Sequence, residues 1–362
     1  MNIEVVEQYT ALARMRDEWE ELHADSATDT VLASWTWCDA WMRHFGSQEK
    51  LWLVTARDEA NRLIGIAPLA LRTVRARPLA QRYLQFIGSS APLEHFDFIL
   101  RRGRESEALP AMLEAVKRAK FDVLELANIL PHSPSLPILR DSGIPFSVIE
   151  DHVAPVLQLP SDMNGVLARQ DKKKSERARY YMRRIERDYP GRWACEVVKS
   201  DCVDPAFDEL IEVHQSQWVG RGHAGAFGDA ALTKFYRDLA QRLCDRGWLR
   251  MYRLLVDGQL VSANLAIVYR NRFLHFVNGT NYSVPVQSPG VVLHYNMIER
   301  SIAEGVREYD FMWGEESYKY DWGAERRVDL TLTWARSPRA RLLKQARRVW
   351  RAVKRRVRPA AS

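Results

Sequence analysis

Between Tyr309 and Trp322 the chain runs YDFMWGEESYKYDW, a stretch dense in groups that can move protons or hold charge. Asp310, Glu315, Glu316 and Asp321 are carboxylates able to take up a proton. Tyr318 carries a phenol, and Lys319 is a point cation. Upstream, Gln287-Ser288-Pro289-Gly290-Val291-Val292 opens a pattern in which Val292, Tyr295, Ile298 and Ile302 recur at helical spacing. The first amides of a helix lack intrahelical partners and favour anions. The combination therefore points to proton transfer close to a bound anionic ligand.

Those residues need a scaffold, and the flanking sequence supplies one. Arg272 to Val277 alternates with β-branched and aromatic residues and predicts a strand. Gly305 ends the helix after Pro289, and Val306 to Met312 resumes a strand. The order strand–loop–helix–strand leaves a ligand where the first strand ends and the helix begins.

The pattern occurs twice. Leu51 to Arg57 and Leu63 to Arg72 predict a hairpin around Asp58-Glu59-Ala60-Asn61. Leu249 to Val256 and Leu260 to Tyr269 repeat it around Asp257-Gly258-Gln259, a tight-turn signal. Tyr83 to Gly88 then corresponds to Phe273 to Gly279, and a helix from about Glu105 to Ala119 precedes the strand FDVLELANI. Two α/β units account for this, with a boundary near Leu159 to Asn164. In the second half, Asn164 to Tyr189 is a highly charged helical segment, either a solvated face or a cationic wall toward an anionic ligand. Helices over Asp204 to Val219 and Asp229 to Arg246 flank a Gly-rich loop, where Arg221 and His223 can close over a ligand. His275 and His294 fall on a strand and a helix and read as packing, as do Trp35, Trp37 and Trp41.

Composition limits the alternatives. The 362 residues suffice for two cores, and no apolar run approaches the roughly 20 residues of a membrane span. The start MNIEVVEQYT lacks the features of a secretory signal, and the four cysteines show no metal-ligand spacing and read as buried, reduced thiols. A cytoplasmic protein without a metal is expected. The net charge is +7, but eleven Lys or Arg and no acid follow from Arg336 onward; removing those eleven leaves −4 for the body. In RLLKQARRVWRAVKRRV the residues Leu342, Ala346, Val349, Trp350, Val353 and Val357 line one helix face. Such a basic amphipathic helix suits an anionic membrane surface, packing on the body, or non-specific nucleic-acid attraction. The first choice makes the protein peripheral at the inner membrane face; specific DNA binding is not expected.

The second half resembles the GNAT acyltransferase superfamily, and the whole chain from about residue 15 to 335 resembles the CelD/BcsL-type acetyltransferases of cellulose and exopolysaccharide synthesis. These are relatives of the Fem peptidyltransferases with tandem GNAT units. The resemblance rests on Ser34-Trp35 with Trp41, Ile66-Ala67-Pro68-Leu69, Ser288-Pro289-Gly290, Tyr309 to Gly314, Tyr318-Lys319 and Trp322. It implies an α/β (α+β) fold of two tandem GNAT-like units, 1–160 and 161–335, each a mixed, mostly antiparallel sheet flanked by helices, followed by the basic tail 336–362.

The resemblance also implies roles. Acetyl-CoA or another acyl-CoA is the co-substrate, and its pyrophosphate is cradled by a Gln/Arg-x-x-Gly-x-Gly/Ala loop. Gln287, Ser288, Gly290 and Val291 are thus cofactor-binding. Here Val292 stands where the second small residue belongs and Pro289 removes a donor, a departure that also suits a charged tRNA as donor. Lys319 offsets charge on the leaving group, or is a surface lysine beside packed aromatics. Asp310 or Glu315 takes the acceptor proton, or Asp310 caps the turn at Gly314. Tyr318 gives a proton to the thiolate, and Arg221, His223 and Trp322 face the substrate. The expected acceptor is an amine or hydroxyl of a small molecule, sugar or envelope precursor. The alternatives are a Fem-like aminoacyl-tRNA-dependent transferase and a non-catalytic scaffold of envelope-polysaccharide synthesis.

Overall fold

The computed structural model describes residues 1–28, 30–76, 79–91, 93–220 and 222–342. The chain forms two compact units, Met1–Asp151 joined by the segment from Val328, and His152–Arg327. The basic tail helix expected over 336–362 lies, from residue 343 on, outside the described residues.

In the first unit the elements in chain order are β1 (Asn2–Val6), α1 (Tyr9–Arg14), α2 (Arg16–Ala24), α3 (Trp35–Phe45), β2 (Glu49–Leu51), β3 (Leu53–Arg57), β4 (Leu63–Ala67), β5 (Leu69–Ala76), β6 (Leu79–Phe86), β7 (Ile99–Leu100), α4 (Glu105–Arg118), β8 (Val123–Ile129), α5 (Ser135–Asp141) and β9 (Ser147–Val153). One sheet has the order β1-β3-β4-β7. The other runs β2-β5-β6-β8, then the strand Val328–Ala335, then β9. The predicted hairpin pairs as β3 and β4, and β6 runs parallel to β8 on either side of α4 in sequence. Every residue of β4 is buried because α2 and α4 cover it, so it reads as a continuous apolar run. Trp35, Trp37 and Trp41 are buried on α3, whose N-cap Ser34 accepts the Trp37 amide. Cys38 is buried too, but Cys202 in the second unit is exposed, so burial does not hold for all four thiols; none is paired.

The second unit comprises β10 (Val156–Gln158), α6 (Met163–Ala168), α7 (Lys172–Asp188), β11 (Trp193–Val197), α8 (Val203–Val219), α9 (Ala230–Asp245), β12 (Leu249–Val256), β13 (Gln259–Tyr269), β14 (Arg272–Thr280), α10 (Pro289–Ala303), β15 (Glu308–Asp310) and α11 (Ser317–Asp321). Its one sheet has the order β10-β15-β14-β13-β12-β11. The β12–β13 turn puts Asp257 at φ 51° and Gly258 at φ 73°, the pair of left-handed residues that a two-residue hairpin needs. All pairs are antiparallel except β14 with β15, which match only over Arg272–Leu274 and Glu308–Asp310. Beyond Leu274, β14 continues six residues with no strand on that side. Opposite β13 it carries one extra residue, Phe276, a bulge that re-aims the side chains after it. At Gly279 the helix α8 approaches so closely that a Cβ would lie 2.5 Å from the His214 amide nitrogen.

Two expectations need correction. The unit boundary falls at 151/152, not at 160. Residues 328–335 belong to the first unit, where Val328–Ala335 pairs antiparallel with β8. The reason is an open edge: β8 would otherwise present an unpaired ladder, and the returning strand satisfies it. A buried pair fixes its register, with His95 Nδ1 at 2.8 Å from Asp329 Oδ2. Removing that carboxylate takes a close partner from a buried imidazole, so Asp329→Ala should cost about 2–3 kcal/mol in urea unfolding and Asp329→Asn clearly less. Wild-type stability in the alanine variant would show that the strand is not held there.

Candidate active site

Where β14 runs on past the end of β15, the second unit holds a cavity of about 500 Å³. Five elements build its wall. The first turns of α10 bring Ser288, Gly290, Val291 and His294; α7 brings Lys174 and Arg177; β14 brings Asn278 and Thr280. The end of α8 contributes Gln217 and Trp218, and α11 with its flanks contributes Glu316, Tyr318, Asp321 and Trp322.

The start of α10 is a reduced anion site. Ser288 sits at φ 49°, ψ 52° and does not cap the helix with its side chain. Pro289 has no N–H, and the amides of Val291 and Val292 both turn back to the Ser288 carbonyl, at 2.9 and 3.3 Å. That leaves the Gly290 amide as the first-turn donor for a ligand. A Cβ at Gly290 would meet nothing within 4 Å, so the space above it is open. Positive charge comes instead from α7, where Lys174 and Arg177 stand three residues apart on one face. Asp171 caps this helix through the Lys174 amide. Lys174 is ion-paired with Asp321 at 2.9 Å, which holds its ammonium above the ordinary lysine range. The Ser288 hydroxyl and then the Arg177 guanidinium hold the Tyr181 phenol below its usual value.

The opposite side depends on the turn Met312–Gly314. Met312 adopts φ 57° and Gly314 φ 115°. Asp310 fixes the first of these: its Oδ1 accepts the Met312 amide at 2.8 Å while Oδ2 pairs with Arg327. Lys319 fixes the rest. Its side chain is 3% exposed, and its ammonium donates to the carbonyls of Met312, Trp313 and Gly314 at 3.0, 2.6 and 3.2 Å and pairs with Glu316 at 2.9 Å. From this clamp α11 sends Tyr318 and Trp322 into the cavity. Desolvation first, and then the Glu316 carboxylate, push the Tyr318 phenol well above the ordinary tyrosine range, so it stays protonated. His294 is neutral: burial, then the Lys319 charge, push it down to about 3.

The sequence-predicted residues thus divide. Ser288, Gly290, Val291, Tyr318 and Trp322 meet at the cavity. Lys319 does not line it, because its protons are used on backbone carbonyls. Asp310, 1% exposed, is not an available base, since the cap and Arg327 occupy its oxygens. Glu315 is paired with Arg326 at 3.0 Å on the exposed surface, and the carboxylate that reaches the cavity is the next one, Glu316. Gln287 is exposed just outside the cavity wall. His223 is exposed in its loop, edge-on to Trp218 at 5.8 Å, and Arg221 lies outside the described residues. Asn278 and Trp218 escaped sequence reasoning, whereas Lys174 and Arg177 belong to the charged segment read as either a solvated face or a cationic wall, and they stand on the cavity side. His294 was read as packing. It does pack, against Tyr318 and Trp322, yet it also lines the cavity.

Residues 172–320, which contain all the lining groups named above except Asp321 and Trp322, match the family profile described as Acetyltransferase (GNAT) domain. Among curated proteins, none matches this sequence. Solved structures share the fold. FemX is 11% identical with TM-score 0.65, covering 96% of this chain and 99% of its own. The C-terminal domain (DUF2156) of a putative lysylphosphatidylglycerol synthetase from Agrobacterium fabrum is 12% identical with TM-score 0.57, covering 92% and 96%. L-PGS from Bacillus licheniformis is also 12% identical with TM-score 0.57, covering 91% and 96%. At such identities the likeness is one of fold. The segment that matches the GNAT domain profile thus lies within the second unit, and the fold of the chain agrees with that match.

Proposed function

We propose that the second unit transfers an acyl group from an acyl-CoA thioester, acetyl-CoA in the simplest case, to an amine or hydroxyl of a sugar or cell-envelope precursor. The observation that carries this is the junction of the Gly290 amide with Lys174 and Arg177 at one end of a cavity of about 500 Å³ whose other end holds Tyr318 and Glu316. A phosphate-bearing donor suits the first end, and the acyl carbon then falls toward the second. The CelD/BcsL resemblance supports a sugar acceptor, as does the aromatic wall of Trp218, Tyr282 and Trp322 beside the amides of Asn278 and Gln217.

In this reading the acceptor attacks the thioester directly, with no covalent enzyme intermediate. Glu316 takes the proton that the acceptor nitrogen or oxygen loses, and Tyr318 gives its phenolic proton to the departing thiolate; exchange with solvent resets both. Lys319 holds Glu316 and the 312–314 turn, and so acts as a positioning residue. An aminoacyl-tRNA donor is the second reading. It is favoured by the single free amide at α10 and by the solvent-facing Lys172, Lys173, Arg179, Arg183 and Arg187 on α7, which suit a phosphate backbone.

Calorimetry with acetyl-CoA separates the two: micromolar binding supports the first, and no binding alongside binding of aminoacylated tRNA supports the second. Gly290→Ala should leave stability unchanged or raised, since alanine is the better helix former by about 1 kcal/mol. Its methyl intrudes on the open space, so acetyl-CoA affinity should fall roughly tenfold; equal affinity would remove the donor from this turn. Glu316→Gln should lower kcat by roughly 100-fold or more with the fold intact. Glu315→Gln, on the surface, should stay within about twofold. The reverse order of effects would return the base to Glu315.

A further inference from the structure

Beneath the cavity lies a buried aromatic cluster with an unusual polar member. His294 of α10 is enclosed by His275 of β14, Phe311, Tyr318 and Trp322, with ring centroids 4.8, 5.5, 5.4 and 6.2 Å away. Its Nδ1 lies 3.1 Å from the hydroxyl of Tyr309, itself fully buried on β15. That contact settles the tautomer. A buried phenol must donate its proton, and Nδ1 of His294 is the acceptor the Tyr309 hydroxyl has. If Nδ1 instead carried the hydrogen, the Tyr309 O–H would be orphaned in the core, at a cost of about 1–3 kcal/mol. The ring proton therefore resides on Nε2, the nitrogen left for the cavity that His294 lines.

We propose that His294 is a catalytic residue: a neutral imidazole whose Nε2–H donates to the acyl carbonyl oxygen as it becomes an oxyanion, with Tyr309 as the positioning residue that fixes the tautomer. This rests on the acyl-transfer reading of the cavity. The acceptor's lone pair forms the new bond to the acyl carbon, and the carbonyl π pair moves onto oxygen, where the Nε2–H holds it. Return of that pair re-forms the carbonyl and expels the sulfur with the C–S bond pair. The acceptor's proton goes to Glu316 and the sulfur takes one from Tyr318. A neutral donor suits this task because it stabilises developing charge without surrendering a proton in the ground state. The surroundings keep it neutral: the Lys319 ammonium on the α11 side and burial on the others disfavour the imidazolium, and the groups facing it from β14 and β15 are uncharged His275 and Tyr309.

The first test does not depend on any substrate. In the full chain with 15N-labelled histidine, His294, assigned by loss of its signals in His294→Gln, should remain the neutral Nε2–H tautomer from pH 5 to 8. Tyr309→Phe should convert it to a mixture of tautomers. A His294 that titrates near the ordinary 6.5, or one protonated on Nδ1, overturns the proposal whatever the donor. The second test uses acetyl-CoA. His294→Leu should bind it as wild type does yet lose roughly 100-fold or more in kcat. His294→Gln, whose amide nitrogen reaches the place of Nε2, should recover much of that loss. Unchanged kcat in His294→Leu overturns the catalytic role. If wild type itself fails to bind acetyl-CoA, the donor assignment falls, and the same pair of variants is then read with aminoacylated tRNA.

Discussion

An ammonium taken out of water costs several kcal/mol unless each of its protons finds an acceptor, and the active-site side of the second unit is organised around meeting that demand for Lys319. Three consecutive carbonyls, from Met312, Trp313 and Gly314, converge on it. They can converge only because Met312 and Gly314 turn through the left-handed region, which Asp310 enforces on Met312 by accepting its amide. The carboxylate of Asp310 is in turn tied to Arg327. Removing Lys319 would take its protons from three inward-turned carbonyls, so the turn depends on that cation. The start of α11 inherits that arrangement, and with it the directions of Tyr318, Trp322 and Glu316. Burial does most to keep His294 and His275 neutral, and the field of the same cation adds to it.

The second constraint is the parting of β14 and β15. Three paired residues suffice to place β15 in the sheet, after which β14 has no strand neighbour on that side among the described residues. An open ladder inside a domain needs a cover, and here the first turn of α10 and the end of α8 lie over it. Gly279 permits the latter, since any side chain there would collide with the backbone of α8. The opening is therefore a product of strand length and one missing Cβ. Elements from several parts of the unit give the cavity its shape, which is what positioning two reacting groups requires.

Much of this was legible in the sequence. The Asp257-Gly258 hairpin, the helix opened by Pro289, the buried tryptophans of α3 and the duplicated order of elements all follow from local patterns that the tertiary structure does not oppose. The site was legible as a neighbourhood. Glu315 and Glu316 are equivalent in sequence and both exposed, and only the turn geometry decides that the second pairs with Lys319 and lines the cavity. Lys319 has the residue type of a catalytic cation, but its burial, invisible in sequence, turns it into a clamp. His294 sits at an apolar helical spacing, so it reads as core; its role depends on which ring nitrogen Tyr309 occupies. The place of the strand Val328–Ala335 escaped for a similar reason, because pairing with β8 joins residues some two hundred positions apart and leaves no local trace.

The duplication also bears on why the proposed chemistry is placed in the second copy. In the first unit α4 stands between the parallel strands β6 and β8 as α10 stands between β14 and β15. Yet α4 begins with Glu105 and Glu107 in its first turn, and the Glu105 carboxylate already accepts the Gly103 amide at 3.0 Å. Acids there complement the helix dipole and stabilise α4, and by the same electrostatics they repel a phosphate. The first turn of α10 has no acid, and its cap Ser288 leaves the helix end without a side-chain partner. It gives up capping energy of about 1 kcal/mol, and the unfilled position is the one a ligand can use. One copy has spent its helix terminus on stability and the other has kept it open, so of these two helix ends it is the start of α10 that suits an anion.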